Sequence, residues 1–170
     1  MREGCSNGND RGEGKKGDGM YKAIVVGIDG SDTARAAMLK AADLAKLMGA
    51  RVHIVTASAK GYLAELVAME PMAAGILETL KNAESQVESA SEGMLARAAE
   101  EVRSRGVEVE THIVDAPPAD AIVDVAQSVG ADLIMVGNKG MRGSKRYVLG
   151  SVPNSVAHHA PCDVTIVSTT

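Results

Sequence analysis

The sequence predicts an α/β fold, a parallel sheet of about five strands with helices on both faces. Short runs of Val, Ile and Leu alternate along the chain with longer segments whose apolar residues recur every three or four positions. The runs are mostly continuous, as in strands covered on both sides. The 170 residues include three Tyr but no Phe or Trp, so the core must be aliphatic, the usual filling between helices and a parallel sheet.

The length suits one domain, and a chain of this size buries about 70% of its unfolded surface without a disulfide or metal staple. The net charge is −4, with no long basic run and few aromatics for stacking, which argues against a nucleic-acid surface. No apolar run approaches the ~20 residues of a membrane span, and no signal-peptide core is evident. Cys5 and Cys162 do not suggest a disulfide framework. The expectation is a soluble, cytoplasmic protein.

Residues 1–19 are rich in Gly, Asn, Lys and Asp and are expected to be a disordered leader, either a tail or a mis-assigned start before Met20. The folded domain is expected over 20–170. Ala23–Ile28 reads as the first strand, followed by Asp29-Gly-Ser-Asp32. Ser31 suits the N-cap of a helix, and Asp32 complements its dipole. Ala34, Ala37, Met38, Ala41, Leu44, Ala45 and Met48 share one face of that helix, and Gly49 stops it. Val52–Thr56 is the second strand, completing a βαβ unit with a right-handed crossover.

Residues 58–79 are irregular, because Gly61, Pro71 and Gly75 interrupt the apolar positions. They read as a loop with a short helix, or as a Met-rich lid or partner surface. Leu80, Ala83, Val87, Ala90, Met94, Ala98 and Val102 mark a long helix ending at Arg103–Gly106. Val107–Ile113 alternates apolar and polar residues, the pattern of an edge strand with one wet face. Pro117 and Pro118 open a helix closed by Gly130, Leu133–Val136 is a buried central strand, a helix spans Val152–His159, and Asp163–Val167 is the last strand.

The candidate site is the stretch Gly137-Asn-Lys-Gly140, with Gly150-Ser151 ten residues beyond. Strand, glycine-spaced loop and helix start, in that order, form an anion cradle: glycine admits close backbone approach, and a helix N-terminus presents free N–H groups. Lys139, Arg142, Lys145 and Arg146 make the loop positive. In open α/β sheets ligands bind past the carboxyl ends of the strands where their order reverses, which brings in the loop after the first strand with Asp29 as a ribose acceptor. Each part also has a plain structural reading, the Asp29 loop as turn and cap and Ser151 as cap of its own helix.

Val136-Gly-Asn-Lys-Gly140, Leu149-Gly-Ser-Val152 and His159-Ala-Pro-Cys162, together with Ile24–Ser31 and Gly130–Gly137, resemble the universal stress protein family over about residues 20–170. The glycines match that family's G-x2-G-x9-G-[S/T] nucleotide motif. The resemblance implies a Rossmann-like, adenine nucleotide alpha hydrolase-like sheet of order 3-2-1-4-5, homodimers through the last strand (163–167), and ATP binding, with Mg or Mn accompanying ATP. Carried over by position, Gly27, Ile28 and Asp29 line the nucleoside side, and Thr56 lies where backbone meets adenine. Val136, Gly137, Asn138, Lys139, Gly140, Gly150, Ser151 and Val152 surround the phosphates. The implied role is a stress-response regulator or nucleotide sensor.

Two positions depart from the family pattern: Asp115-Ala116 replaces a common glycine, and Pro153 removes an N–H from the first turn of the last helix. AMP and cyclic AMP, which some members bind, therefore stand beside ATP. Catalysis has less support, since the chain has no G-x4-G-K-[S/T], GxSxG, HExxH or CxxC pattern. A slow ATPase or phosphotransferase, or a chaperone-like dimer with a vestigial site, remain the alternatives. His53, His112, His158 and His159 look scattered along the chain, and no metal site is expected from them.

Overall fold

The computed structural model describes residues 20–58, 74–139 and 149–168, with side chains of 74–84 left aside. The expected leader and most of the irregular segment 58–79 lie outside the described residues. Five strands, β1 (Ala23–Gly27), β2 (Arg51–Ser58), β3 (Val109–Asp115), β4 (Leu133–Gly137) and β5 (Asp163–Val167), form one sheet of order β3-β2-β1-β4-β5. Every pairing is parallel. Four helices are described: α1 (Asp32–Met48), α2 (Ala74–Arg103), α3 (Pro118–Val129) and α4 (Ser151–His159).

Local chemistry sets the helix ends. Ser31 caps α1, its hydroxyl accepting the Ala34 N–H at 3.3 Å. Gly49 and Gly130 adopt the left-handed conformation, at φ 68° and 61°, and end α1 and α3. Pro117 and Pro118 open α3 because a first-turn N–H has no intrahelical partner to lose.

Alternation across the pleat divides the core in two. Ile24, Val26, Val52, Ile54, Leu133 and Met135 pack under α1 and α2. Val25, Val55, Ile134 and Val136 pack under α3 and α4 with Ile122, Val125 and Val156. Each such side chain contributes roughly 1.5–3 kcal/mol relative to exposure. At the sheet centre, Asp132 Oδ2 accepts the N–H groups of Lys22 (2.7 Å) and Ala23 (3.0 Å), pinning the start of β1 to that of β4.

The structure corrects three sequence expectations. The long helix begins at Ala74, so Gly75 lies inside it rather than breaking it. A single glycine costs about 1 kcal/mol in a helix, which a long element tolerates. Val87 is 58% exposed and Ala90 is also exposed, while Leu95, Ala98, Ala99 and Val102 are buried. Helical spacing marks a face, but among the described side chains of α2 those packed on the sheet core lie in its carboxyl-terminal part. The edge strand spans Val109–Asp115, two residues later than the alternating pattern suggested.

Candidate functional site

β1 and β4 are neighbours, yet their connections lead to opposite sides of the sheet, so the strand order reverses between them. The crevice past their carboxyl ends is walled by the residues following Gly27 and Gly137. On the β1 side, the Ile28 N–H donates to the Val55 carbonyl at 2.8 Å. Asp29 then turns the chain, its Oδ1 accepting the Ser31 N–H at 2.9 Å and the Ser31 hydroxyl. Gly30 takes φ 82°, a conformation that favours glycine. Asp29 is thus engaged in the turn that sets the α1 N-cap.

The second wall is tied to the first. The Thr33 hydroxyl donates to the Lys139 carbonyl, and Thr33 packs against Gly137. Asn138 donates its N–H to the Val167 carbonyl (2.9 Å) and accepts the Gly150 N–H (3.1 Å), joining β4, β5 and the start of α4. Gly140 and the basic residues Arg142, Lys145 and Arg146 lie outside the described residues.

The N-cap of α4 is Gly150, without a side-chain cap, so Ser151 is the first helical residue and not the cap. The first intrahelical bond runs from the Asn154 N–H to the Gly150 carbonyl at 3.1 Å. The N–H groups of Ser151 and Val152 precede that bond, and Pro153 has none. The first turn carries no acidic side chain, which leaves the positive end of the helix uncompensated within its own turn.

The glycines differ in why they are there. A Cβ on Gly137 would lie 2.9 Å from the Thr33 carbonyl carbon, and one on Gly27 would meet Ile122 Cδ1 at 2.4 Å. Backbone packing explains Gly137, whereas at Gly27 the obstacle is the end of the Ile122 side chain. A Cβ on Gly150 would meet only ordinary contacts at 3.5 Å or more, and its φ of −62° suits any residue. The described fold gives no reason for glycine there.

The family's sequence model matches residues 20–168. The chain belongs to the universal stress protein family. A universal stress protein of Mycobacterium tuberculosis is 37% identical over 151 residues, covering 88% of this chain and 98% of that protein. Among solved structures, a universal stress protein in complex with cAMP is 30% identical with a TM-score of 0.62, covering 88% of this chain and 98% of that one. One from Archaeoglobus fulgidus in complex with dAMP is 27% identical with a TM-score of 0.58, covering 86% and 98%.

Of the other family positions, Val136 is buried in the core under α3 and α4, so only its backbone can face the crevice. Thr56 is 6% exposed near the end of β2, and Val152 packs partly on the same core as Val136. Asn138 Oδ1 is a buried oxygen without a hydrogen-bond partner among the described residues. A cavity of about 530 Å³ adjoins the Asp29 loop from the helix side, with Ile28, Ser31, Met38, Met94 and Arg97 in its walls. No described helix is long and apolar enough to cross a membrane.

Sequence reasoning missed one cluster. The two histidines that looked scattered meet across β2 and β3, His53 Nδ1 lying 3.1 Å from His112 Nε2, with Glu110 beside them. His53 is pushed below the ordinary histidine range mainly by burial, against the opposing pull of Glu110. The signal was Glu110 and His112 two residues apart in an alternating strand; the missing half was the register with β2.

Proposed function

We propose that this chain is an adenine-nucleotide-binding stress regulator that binds ATP in the crevice between β1 and β4. The observation that carries the reading is the start of α4: the N–H groups of Ser151 and Val152 lie ahead of the first intrahelical bond, beside a Gly150 that none of the described residues requires. Gly137, Asn138, Lys139 and Gly140 continue this phosphate wall. Gly27, Ile28, Asp29 and Thr56 form the nucleoside side, with Asp29 accepting from the ribose. The complexes of related proteins with cAMP and dAMP support adenine as the base. Mg or Mn accompanies ATP, and the protein works in the cytoplasm as a homodimer paired along β5, whose Ile166 is 37% exposed at the sheet edge.

A monophosphate ligand, AMP or cyclic AMP, is the second reading. Pro153 interrupts the run of N–H groups after Ser151 and Val152, and the Asn154 N–H is already used by Gly150. Two backbone donors suit a single phosphate. Both related complexes hold monophosphates.

Calorimetry of the full chain with ATP, AMP and cyclic AMP separates these readings by their order of affinity. Gly140→Asp, which places a carboxylate against the phosphates, should abolish binding of the preferred nucleotide. No binding by any of the three overturns the proposal, and undiminished binding by the variant overturns the placement of the site.

A further inference from the structure

A second group of ligating side chains lies away from the crevice. His53 stands opposite Glu110 in the β2–β3 register, and the period of two puts His112 on the same face of β3 as Glu110. His53 is 5% exposed, His112 is partly buried and Glu110 is at the surface. His53 Nδ1 is 3.1 Å from His112 Nε2 and 3.7 Å from Glu110 Oε2, and one ligand atom from each of the three residues lies within 4.8 Å of the others. Two ligand nitrogens at the usual zinc distance in tetrahedral geometry stand about 3.3 Å apart. The existing spacing needs little adjustment to hold an ion.

The surroundings favour ligation. Arg51 holds the other carboxylate oxygen, Glu110 Oε1, at 2.7 Å and leaves Oε2 facing the histidines, the kind of outer contact that orients a metal ligand. A cavity of about 430 Å³, lined by Lys22, Gly49, Arg51, His53, Glu110 and other residues, gives solvent access so that water can complete the coordination. These are residues at or near the amino ends of the strands, whereas the crevice lies past their carboxyl ends.

We propose that His53, Glu110 and His112 form a site for a divalent transition-metal ion, zinc by its ligand set, that clips edge strand β3 to β2. Two imidazoles with one carboxylate and open positions are a familiar donor set for such ions. A hydrogen bond between the two rings is the competing explanation of their contact.

The test uses the full chain in a Cys5→Ser, Cys162→Ser background, stripped of metal with a chelator, so that thiols do not contribute. Titration with Zn²⁺ should show one ion per chain, Co²⁺ should develop the visible bands of a low-symmetry four- or five-coordinate site, and Zn²⁺ should raise the melting temperature. Loss of an outer-shell partner alone typically costs 10–100-fold in affinity, so His112→Ala should weaken zinc binding more than about 100-fold. The double variant His158→Ala, His159→Ala should bind as before. Should His112→Ala fail to fold, Glu110→Gln at the surface serves instead, with an expected loss of at least about tenfold. Absence of stoichiometric binding, or equal binding by the ligand variant that is measured, overturns the proposal and leaves a ring-to-ring hydrogen bond.

Discussion

Thr33 sits against Gly137 so closely that a Cβ at position 137 would lie 2.9 Å from the Thr33 carbonyl carbon and 3.0 Å from its Cβ. The first turn of α1 and the end of β4 are closely apposed, and the Thr33 hydroxyl ties that turn to the Lys139 carbonyl. Gly137→Ala must push the two apart, with an expected loss of about 1–3 kcal/mol in urea unfolding. Gly150→Ala meets no such obstacle among the described residues and should change stability by less than about 0.5 kcal/mol. If the ligand lies against Gly150, the same substitution should weaken adenine-nucleotide binding in calorimetry. Unchanged affinity would remove Gly150 from the site.

Asp29 serves the turn through Oδ1, and on the proposed reading serves the ribose as well. Asp29→Asn keeps an oxygen for the Ser31 donors but loses the charge. Nucleotide affinity should fall about tenfold, as expected for one charge-assisted hydrogen bond, with little change in melting temperature. A fall in melting temperature with affinity intact would assign Asp29 to the turn alone.

Asp132 accepts two backbone N–H groups from the start of β1, at 2.7 and 3.0 Å. Asp132→Ala leaves both donors without that partner and should cost about 1–3 kcal/mol in urea unfolding. A change below about 0.5 kcal/mol would show that solvent replaces the carboxylate at no cost.

Cys162 has its thiol pushed above the ordinary range, mainly by burial and then by the charges of Asp163 and Asp132. A raised value means less thiolate at neutral pH. In a Cys5→Ser background, reaction with a disulfide reagent at pH 7.5 should be slower than for an unstructured cysteine peptide. The rate should keep rising with pH beyond the point where the peptide has levelled off. Coincident pH profiles would refute the assignment.

Elements governed by local chemistry were legible in the sequence. Ser31, Gly49 and Gly130 announce helix ends because capping and left-handed turns depend on a few adjacent residues. The apolar runs of β1 and β4 announce strands because burial on both faces leaves little room for polar positions, and β3 is announced by its alternation. The crevice followed from the glycine spacing and the family resemblance. What needed the structure was non-local. The meeting of His53 with His112 depends on β2–β3 register, and Asp132 acts on residues more than a hundred positions earlier. Gly75 looks like a breaker in the sequence, but one glycine is a small cost in a long helix. Gly150 takes the cap of α4 in place of Ser151 because a cap is defined by backbone angles as well as by hydroxyl chemistry.

Asn138 gives its N–H to Val167 in β5 and takes the N–H of Gly150 at the head of α4. One peptide neighbourhood therefore fastens both the outer strand and the proposed phosphate end. On the reading proposed above, this neighbourhood is where occupancy of the crevice and pairing of two chains along β5 would be coupled, and any effect of one on the other is reciprocal. Nucleotide affinity would then depend on protein concentration, and nucleotide would shift the association constant of the chain by the same factor.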